Sequence, residues 1–263
     1  MASETATRIG IAGITGRMGR LLIAEVPAAG AVLVGGIGRR PAPDLKLLAN
    51  FAALVESSDV VIEFTHATLA RPHASVIEAT GRPWVLGTSG LSADDETALA
   101  AAAKRAPVVY AANFAPGVNL VLALAERMAA ALPAASYDAE VLEMHHRQKV
   151  DAPSGTAIAL GRAVARARGV VLPEVMESGR HGHTGPRRAG GIGFAALRGG
   201  QVVGEHTLLF AADTEQIALT HRAFDRRVFA TGAVRAALWV AGKPPGLYTM
   251  ADVLGLTAQS LSA

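Results

Sequence analysis

Short apolar runs recur along the first half of the chain, and the segments between them bring apolar residues back at helical spacing. Residues 8–12 (RIGIA), 31–37 (AVLVGGI), 59–64, 83–87 and 107–111 read as strands, and the intervening stretches mostly suit helices. Strands that alternate with helices predict a parallel sheet covered by helices. From about residue 137 the rhythm changes. A strand, one helix and three strand-like runs near 192–198, 201–210 and 215–223, with glycine-rich loops between them, predict a second, mixed or antiparallel sheet. A final amphipathic stretch, 227–241, is expected to stop as a helix at Gly242-Lys243-Pro244-Pro245.

Composition sharpens this picture mainly by exclusion. A hydrophobic content of 51% over 263 residues supplies one large domain or two modest ones. Lys+Arg 25 against Asp+Glu 22 leaves a formal charge of +3, with no basic run long enough to grip nucleic acid. Zero cysteines rule out disulfides and thiolate chemistry, and fit a reducing compartment. No stretch approaches eighteen uninterrupted apolar residues, and the start MASETATRIGIAG has no leader pattern, so a cytoplasmic protein without a membrane partner is expected. The alanine-rich ETALAAAAKRA, preceded by Ser92-Ala93-Asp94-Asp95, is an ordinary capped helix.

Candidate chemistry gathers in two places. IGIAGITGRMGRLL sets Gly13, Gly16 and Gly19 between the first strand and the first helix, where backbone amides and the positive helix end can receive a pyrophosphate. Tight strand-to-helix packing is the alternative reason for those glycines. The second strand ends in Gly38-Arg39-Arg40, with no carboxylate for a ribose 2′-hydroxyl; a guanidinium there favours a 2′-phosphate, hence NADPH over NADH. Solvation of the loop before Pro41 is the alternative role for these arginines.

The second place is EMHHRQKVDAPSGTA, residues 143–157. Residues 137–144 partly alternate as a strand, so His145 and His146 are expected on opposite sides. Lys149 follows in a loop, and Ser154 is a reasonable N-cap for the helix AIALGRAVARA, so the amides of Gly155 and Thr156 can receive an anion. Imidazole, ammonium and helix start within so short a segment suit a small carboxylate whose reaction needs proton transfer. Structural histidines and a solvated lysine are the alternative. No third ligand at useful spacing supports a metal.

These segments, taken in order, resemble the dihydrodipicolinate reductase (4-hydroxy-tetrahydrodipicolinate reductase) family over nearly the whole chain. The match runs through GITGRMGR, EFT at 63–65, GTSG at 87–90, AANFAPGVN at 111–119, the 143–157 string, RHGHTGPR at 180–187, GGIGF at 190–194, VVGEHT at 202–207 and FATGAVRAALWV at 229–240. The resemblance implies an α/β fold: a Rossmann-type dinucleotide-binding domain, residues 1–116 and 227–263, with a second α+β domain, 117–226, built on a mixed sheet and serving substrate binding and tetramerisation. It implies reduction of 4-hydroxy-tetrahydrodipicolinate to tetrahydrodipicolinate with loss of water, in lysine and diaminopimelate biosynthesis, by a homotetramer using NADPH or NADH. Carried onto this chain, His145 is the acid/base group and Lys149 its partner proton donor, while His146, Ser154, Gly155 and Thr156 meet the substrate. Cofactor contacts fall on Gly13, Gly16, Arg17, Met18, Gly19, Arg39, Arg40, Gly87, Thr88, Ser89, Ala112, Asn113 and Phe114. The chain departs from the family's common pattern with Glu63 for aspartate, Ser89 for threonine, and a short segment 41–50. Another nicotinamide-dependent reductase of a small carboxylate, or a dinucleotide sensor without catalysis, are the competing functions.

Overall fold

Strand and helix alternate from the start of the computed structural model, which describes residues 6–256. In chain order come β1 (Arg8–Ala12), α1 (Arg17–Ala28), β2 (Val32–Ile37), α2 (Phe51–Ser57), β3 (Val60–Glu63), α3 (Ala70–Thr80), β4 (Trp84–Leu86), α4 (Ala93–Ala103) and β5 (Pro107–Tyr110). Then follow α5 (Pro116–Ala131), β6 (Asp138–His145), α6 (Gly155–Ala167), α7 (Leu172–Val175), β7 (Met176–Ser178), β8 (Ile192–Arg198), β9 (Gly204–Ala211) and β10 (Gln216–Ala223). The chain closes with α8 (Arg227–Val240), β11 (Gly246–Tyr248) and α9 (Met250–Leu254). Two compact units result: one runs to Pro116 and resumes at Arg227, and the other spans Gly117–Arg226. Residues 1–5 and 257–263 of the expected first domain lie outside the described residues.

The first unit is a six-stranded parallel sheet in the order β2-β1-β3-β4-β5-β11. Period-two alternation sends successive side chains into two separate apolar layers. Ile9, Ile11, Ile62, Val85 and Val109 pack with Leu22 and Val26 of α1 and with Ala233, Ala237 and Val240 of α8. Val61, Trp84, Leu86 and Val108 pack on the other side with Leu54, Ile77 and Leu99 of α2, α3 and α4. Gly232 lets α8 lie close to the chain after β5, because a Cβ there would collide with the Phe114 carbonyl oxygen. The sheet order turns back at β1, which has β2 on one side and β3 on the other; a crevice opens at the carboxyl ends of strands at such a point.

The second unit is the mixed sheet β10-β9-β6-β8-β7, with β10, β9 and β6 antiparallel and β6, β8 and β7 parallel. Ala139 and Val141 of β6 meet Leu208 and Phe210 of β9, Ile192 and Phe194 of β8, Leu160 and Val164 of α6, and Ala125 and Ala129 of α5. The alternate β6 row leaves Leu142 40% exposed, and Leu197 of β8 is 55% exposed. RHGHTGPR is tied to β6 by ion pairs: Arg180 to Glu140 at 2.9 Å, and Arg187 to Glu140 and Asp138 at 2.8 Å each.

The parallel sheet, the mixed sheet and the terminal helix were all expected. Four short elements were not, namely α7, β7, β11 and α9: the two strands are three residues each and lack the apolar run that marked the equally short β4. The strand expected from 201 begins at Gly204, because Gly199 and Gly200, the latter at φ 49°, turn the chain first. Ser92 caps α4 through a reciprocal bond with Asp95, as its spacing indicated.

Candidate active site

In the first unit the expected cofactor residues lie at the carboxyl end of the parallel sheet. The loop after β1 is pinned to β2, whose Ile37 carbonyl accepts from Gly13 N–H at 2.9 Å and Ile14 N–H at 3.0 Å. Gly13 has φ 88°, and a Cβ on Gly19 would strike its carbonyl oxygen, so helix and loop come as near as backbone allows. α1 begins after Gly16 without a side-chain cap, and an uncapped first turn presents N–H groups without intrahelical partners. Arg17 is exposed and Met18 half-buried. Beyond β2, Arg39 and Arg40 are exposed beside this loop's Ile37 anchor. The loop thus fits a pyrophosphate, and the arginines fit further negative charge at the strand end.

The remaining cofactor candidates follow β4 and β5. Thr88 is buried, its hydroxyl donating to the Thr65 carbonyl at 3.3 Å, while Ser89 is exposed. Phe114 is buried and meets Phe64 edge to face at 5.7 Å; Ala112 is exposed, and Asn113 Oδ1 accepts from Ala115 N–H at 2.9 Å. A Cβ at Gly87 would overlap the Phe64 ring. Underneath, Glu63 is fully buried and accepts from Trp84 Nε1 at 3.1 Å, His73 Nδ1 at 2.8 Å, and Thr65.

In the second unit the geometry centres on β6. Its inward row continues from Ala139 and Val141 to Glu143 and His145, both buried. His145 Nδ1 lies 2.5 Å from Glu143 Oε2, and a Cβ on Gly204 would sit 3.1 Å from its Nε2. Glu143 pairs in register with His206 of β9, whose Nε2 is 3.0 Å from Ser154 Oγ. Ser154 caps α6 by accepting from Ala157 N–H at 3.2 Å, and its own N–H donates to Glu143 at 3.0 Å. His146 goes elsewhere, its Nε2 3.3 Å from Arg226 Nη2. Lys149 pairs with Asp151 at 2.8 Å, and Arg198 holds the Asp151 carbonyl at 2.7 Å. Gly155 and Thr156 open α6, and a Cβ on Gly155 would meet no protein atom.

His145, Lys149, Ser154 and the α6 start therefore belong to one cluster, with His146 facing a different partner. Sequence reasoning singled out none of Glu143, Arg198, His206 or Asp151. Glu143 had a usable signal, since residues two apart on a strand share a face; His206 lay in the matching segment VVGEHT without a role attached, and Arg198, on a distant strand, had none.

Burial pushes the His145 imidazole below its ordinary value, opposed by the Glu143 carboxylate and helped by the charges of Lys149 and Arg198. Burial also opposes ionisation of Glu143, but hydrogen bonds from Arg198, His145 and the Ser154 amide outweigh it, holding this carboxyl below the usual range. His206 is pushed down to about 4, by burial first and then by His145.

The dihydrodipicolinate reductase N-terminus family model matches residues 7–114, and the dihydrodipicolinate reductase C-terminus model matches residues 117–254. The 4-hydroxy-tetrahydrodipicolinate reductase of Granulibacter bethesdensis is 64% identical over 260 residues, covering 97% of this chain and 100% of the relative. That of Gluconacetobacter diazotrophicus is 64% identical over 249 residues, covering 95% and 97%. A solved structure, dipicolinate-bound dihydrodipicolinate reductase from Paenisporosarcina sp. TG-14, shares the fold with a TM-score of 0.75 at 24% identity, over 93% of this chain and 98% of that one.

A neutral buried His206 makes stability depend on pH. Its folded value of about 4 lies below the ordinary 6.5, so the unfolded chain binds the extra proton between the two. The contribution of His206 to stability is fully present above pH 6.5 and is lost as pH falls from there toward 4, by about 3 kcal/mol. Denaturant titrations of His206→Gln across this range should show a shallower pH slope than the parent; identical slopes would refute the assignment.

Proposed function

The chain belongs to the dihydrodipicolinate reductase family, and from that premise we propose that it reduces 4-hydroxy-tetrahydrodipicolinate to tetrahydrodipicolinate with loss of water, in lysine and diaminopimelate biosynthesis. The observation that carries this reading is the second-unit cluster, in which one imidazole and one helix start share the buried Glu143 carboxylate, and one ammonium on the following loop is held by the exposed Asp151. A nicotinamide dinucleotide, when bound, supplies the hydride. The unit ending at Pro116 and resuming at Arg227 is the proposed dinucleotide-binding domain, with Gly13, Gly16, Arg17, Met18 and Gly19 around the pyrophosphate. Gly87, Thr88, Ala112, Asn113 and Phe114 are assigned to the nicotinamide side, and Ser89 is a further proposed cofactor contact. Gly117–Arg226 is the proposed substrate-binding domain.

This chain's residues have two tasks there. The first is to hold a dicarboxylate, for which the α6 amides of Gly155 and Thr156, the Ser154 cap and the Lys149 ammonium are the proposed groups, with His146, which faces Arg226 outside this cluster, as a further proposed contact. The open space before Gly155 supports this, since no protein atom competes for it. The second is to manage protons. Hydride addition to a conjugated iminium leaves an enamine to be protonated, and His145 is the proposed acid/base group, with Lys149 as partner donor. Burial favours the neutral form of His145 without substrate, and an arriving dianion favours its imidazolium form, placing a proton beside the bound acid.

NADPH is the proposed preferred reductant, with NADH as a second substrate. Arg39 and Arg40 support this as exposed cations beyond β2, without a carboxylate at that strand end. A homotetramer is also proposed, supported by the exposed Leu142 and Leu197 on the second-unit sheet. A cytoplasmic location is proposed from the absence of cysteine and because no helix among the described residues is long and apolar enough to cross a membrane.

The direct test follows NADPH absorbance with freshly made synthase product, repeated with NADH; no oxidation of either overturns the function. In the same assay Lys149→Met should lower turnover by about 10²- to 10⁴-fold with NADPH affinity nearly unchanged, and full activity would remove its role. Replacing Arg39 and Arg40 by alanine should raise the Michaelis constant for NADPH far more than that for NADH, and equal effects would sink the cofactor preference. Sedimentation equilibrium should give a tetramer that Leu142→Glu with Leu197→Glu weakens; a monomeric parent protein would exclude this assembly.

A further inference from the structure

Four hydrogen-bond donors from three segments close on one buried carboxylate. Glu143 Oε1 accepts from Ser154 N–H at 3.0 Å and Arg198 Nη2 at 2.8 Å. Oε2 accepts from Arg198 Nη1 at 2.7 Å and faces His145 Nδ1 at 2.5 Å. An ionised carboxylate is acceptor-only, so the proton between Glu143 and His145 resides on Nδ1. In the neutral ring the lone pair then lies on Nε2, the nitrogen beside Gly204.

We propose that Glu143 is the positioning residue that fixes His145 as the Nδ1–H tautomer, with Arg198 as the counter-charge that orients it, so that proton exchange with substrate runs through Nε2 alone. The inference rests on the reading that His145 is the acid/base group, and it adds the residue that makes one ring nitrogen competent. Glu143 is 3% exposed and His145 8% exposed, so water has little room to act as the acceptor in its place. The charged and titratable groups facing His145 are Glu143 from β6, Arg198 from β8, His206 from β9 with rings 5.0 Å apart, and Lys149 with its partner Asp151 from the loop. Among the described residues, Glu143 is the carboxylate bonded to the ring.

Glutamine at 143 tests chemistry apart from packing, because it keeps the shape and loses one acceptor. Its NH₂ must face either the Ser154 side or the His145 side. The Ser154 amide is an obligate donor, whereas imidazole can move its proton, so the NH₂ settles toward His145 and Nδ1 becomes an acceptor. The proton then moves to Nε2, and the lone pair is lost from the reacting nitrogen. Loss of the carboxylate also removes a stabiliser of the imidazolium, so its acid form fails at lower pH.

The experiment combines two-bond ¹H–¹⁵N correlation spectra of histidine-labelled protein with steady-state kinetics. His145→Ala, which assigns the signal, serves as the control. The parent protein should show His145 as the Nδ1–H tautomer, and folded Glu143→Gln should show Nε2–H. Turnover of Glu143→Gln should fall about 100-fold with the Michaelis constant for NADPH within about twofold, and the alkaline limb of its pH profile should move to lower pH. An Nε2–H signal in the parent protein overturns the proposal, without any variant needing to fold. So does a folded Glu143→Gln that keeps Nδ1–H, or one that keeps the parent rate and pH limb. A fully active His145→Ala instead removes the acid/base reading of His145 while leaving the tautomer assignment to the spectra.

Discussion

Ionising an acid inside a protein is costly, and the second unit is organised around one such acid. Glu143 remains a carboxylate because a guanidinium, a backbone amide and an imidazole all reach it, and their combined effect exceeds the penalty of burial. Each donor arrives on a different element, so the charge fixes three segments relative to one another: the end of β6, the end of β8 and the start of α6. Removing one partner from such a buried pair costs about 3–5 kcal/mol, because the charge left behind has no water to turn to. The geometry of the cluster and the stability of its support are thus set by one interaction.

The first unit uses the same device in a different setting. Glu63 ends β3 fully buried, bonded to His73, Trp84 and Thr65, and Thr65 in turn receives the Thr88 hydroxyl. Both units therefore place an acid and a histidine where a strand becomes a loop, the point at which backbone direction changes and positions are otherwise loosely held. In β6 the histidine stands two residues beyond the acid; in the first unit it reaches back from α3. Phe51 stacks on His73 at 3.8 Å, so that imidazole has an apolar cover as well as a carboxylate partner.

The layered architecture was legible in the sequence because it rests on local periodicity. Runs such as RIGIA and the helical return of apolar residues at 227–240 depend only on neighbours along the chain. The glycine loop was legible for a related reason: only small residues permit the approach that Gly13 and Gly19 make. The 143–157 string was readable as residue types, but not as an arrangement. That Glu143 meets Arg198, 55 positions away, and stands opposite His206 follows from strand order and register, which no local pattern encodes. β7 and β11 escaped for the opposite reason, being local but too short to repeat and without the apolar run that marked β4. The resemblance supplied proposed roles for residues that periodicity alone left ambiguous, yet it assigned none to Glu143 or Arg198.

One consequence of the divided first unit concerns the order of events during synthesis. Its apolar layer against β1, β3, β4 and β5 takes Ala230, Ala233, Ala236, Ala237 and Val240 from α8, and its sheet takes its last strand from β11. A nascent chain halted at residue 226 has every residue of the inserted unit but lacks a face and an edge of the unit begun first. Domains generally fold as units as they leave the ribosome. Here the middle of the polypeptide has all of its own core residues in the chain before α8, the helix that covers one face of the opening strands, has followed it.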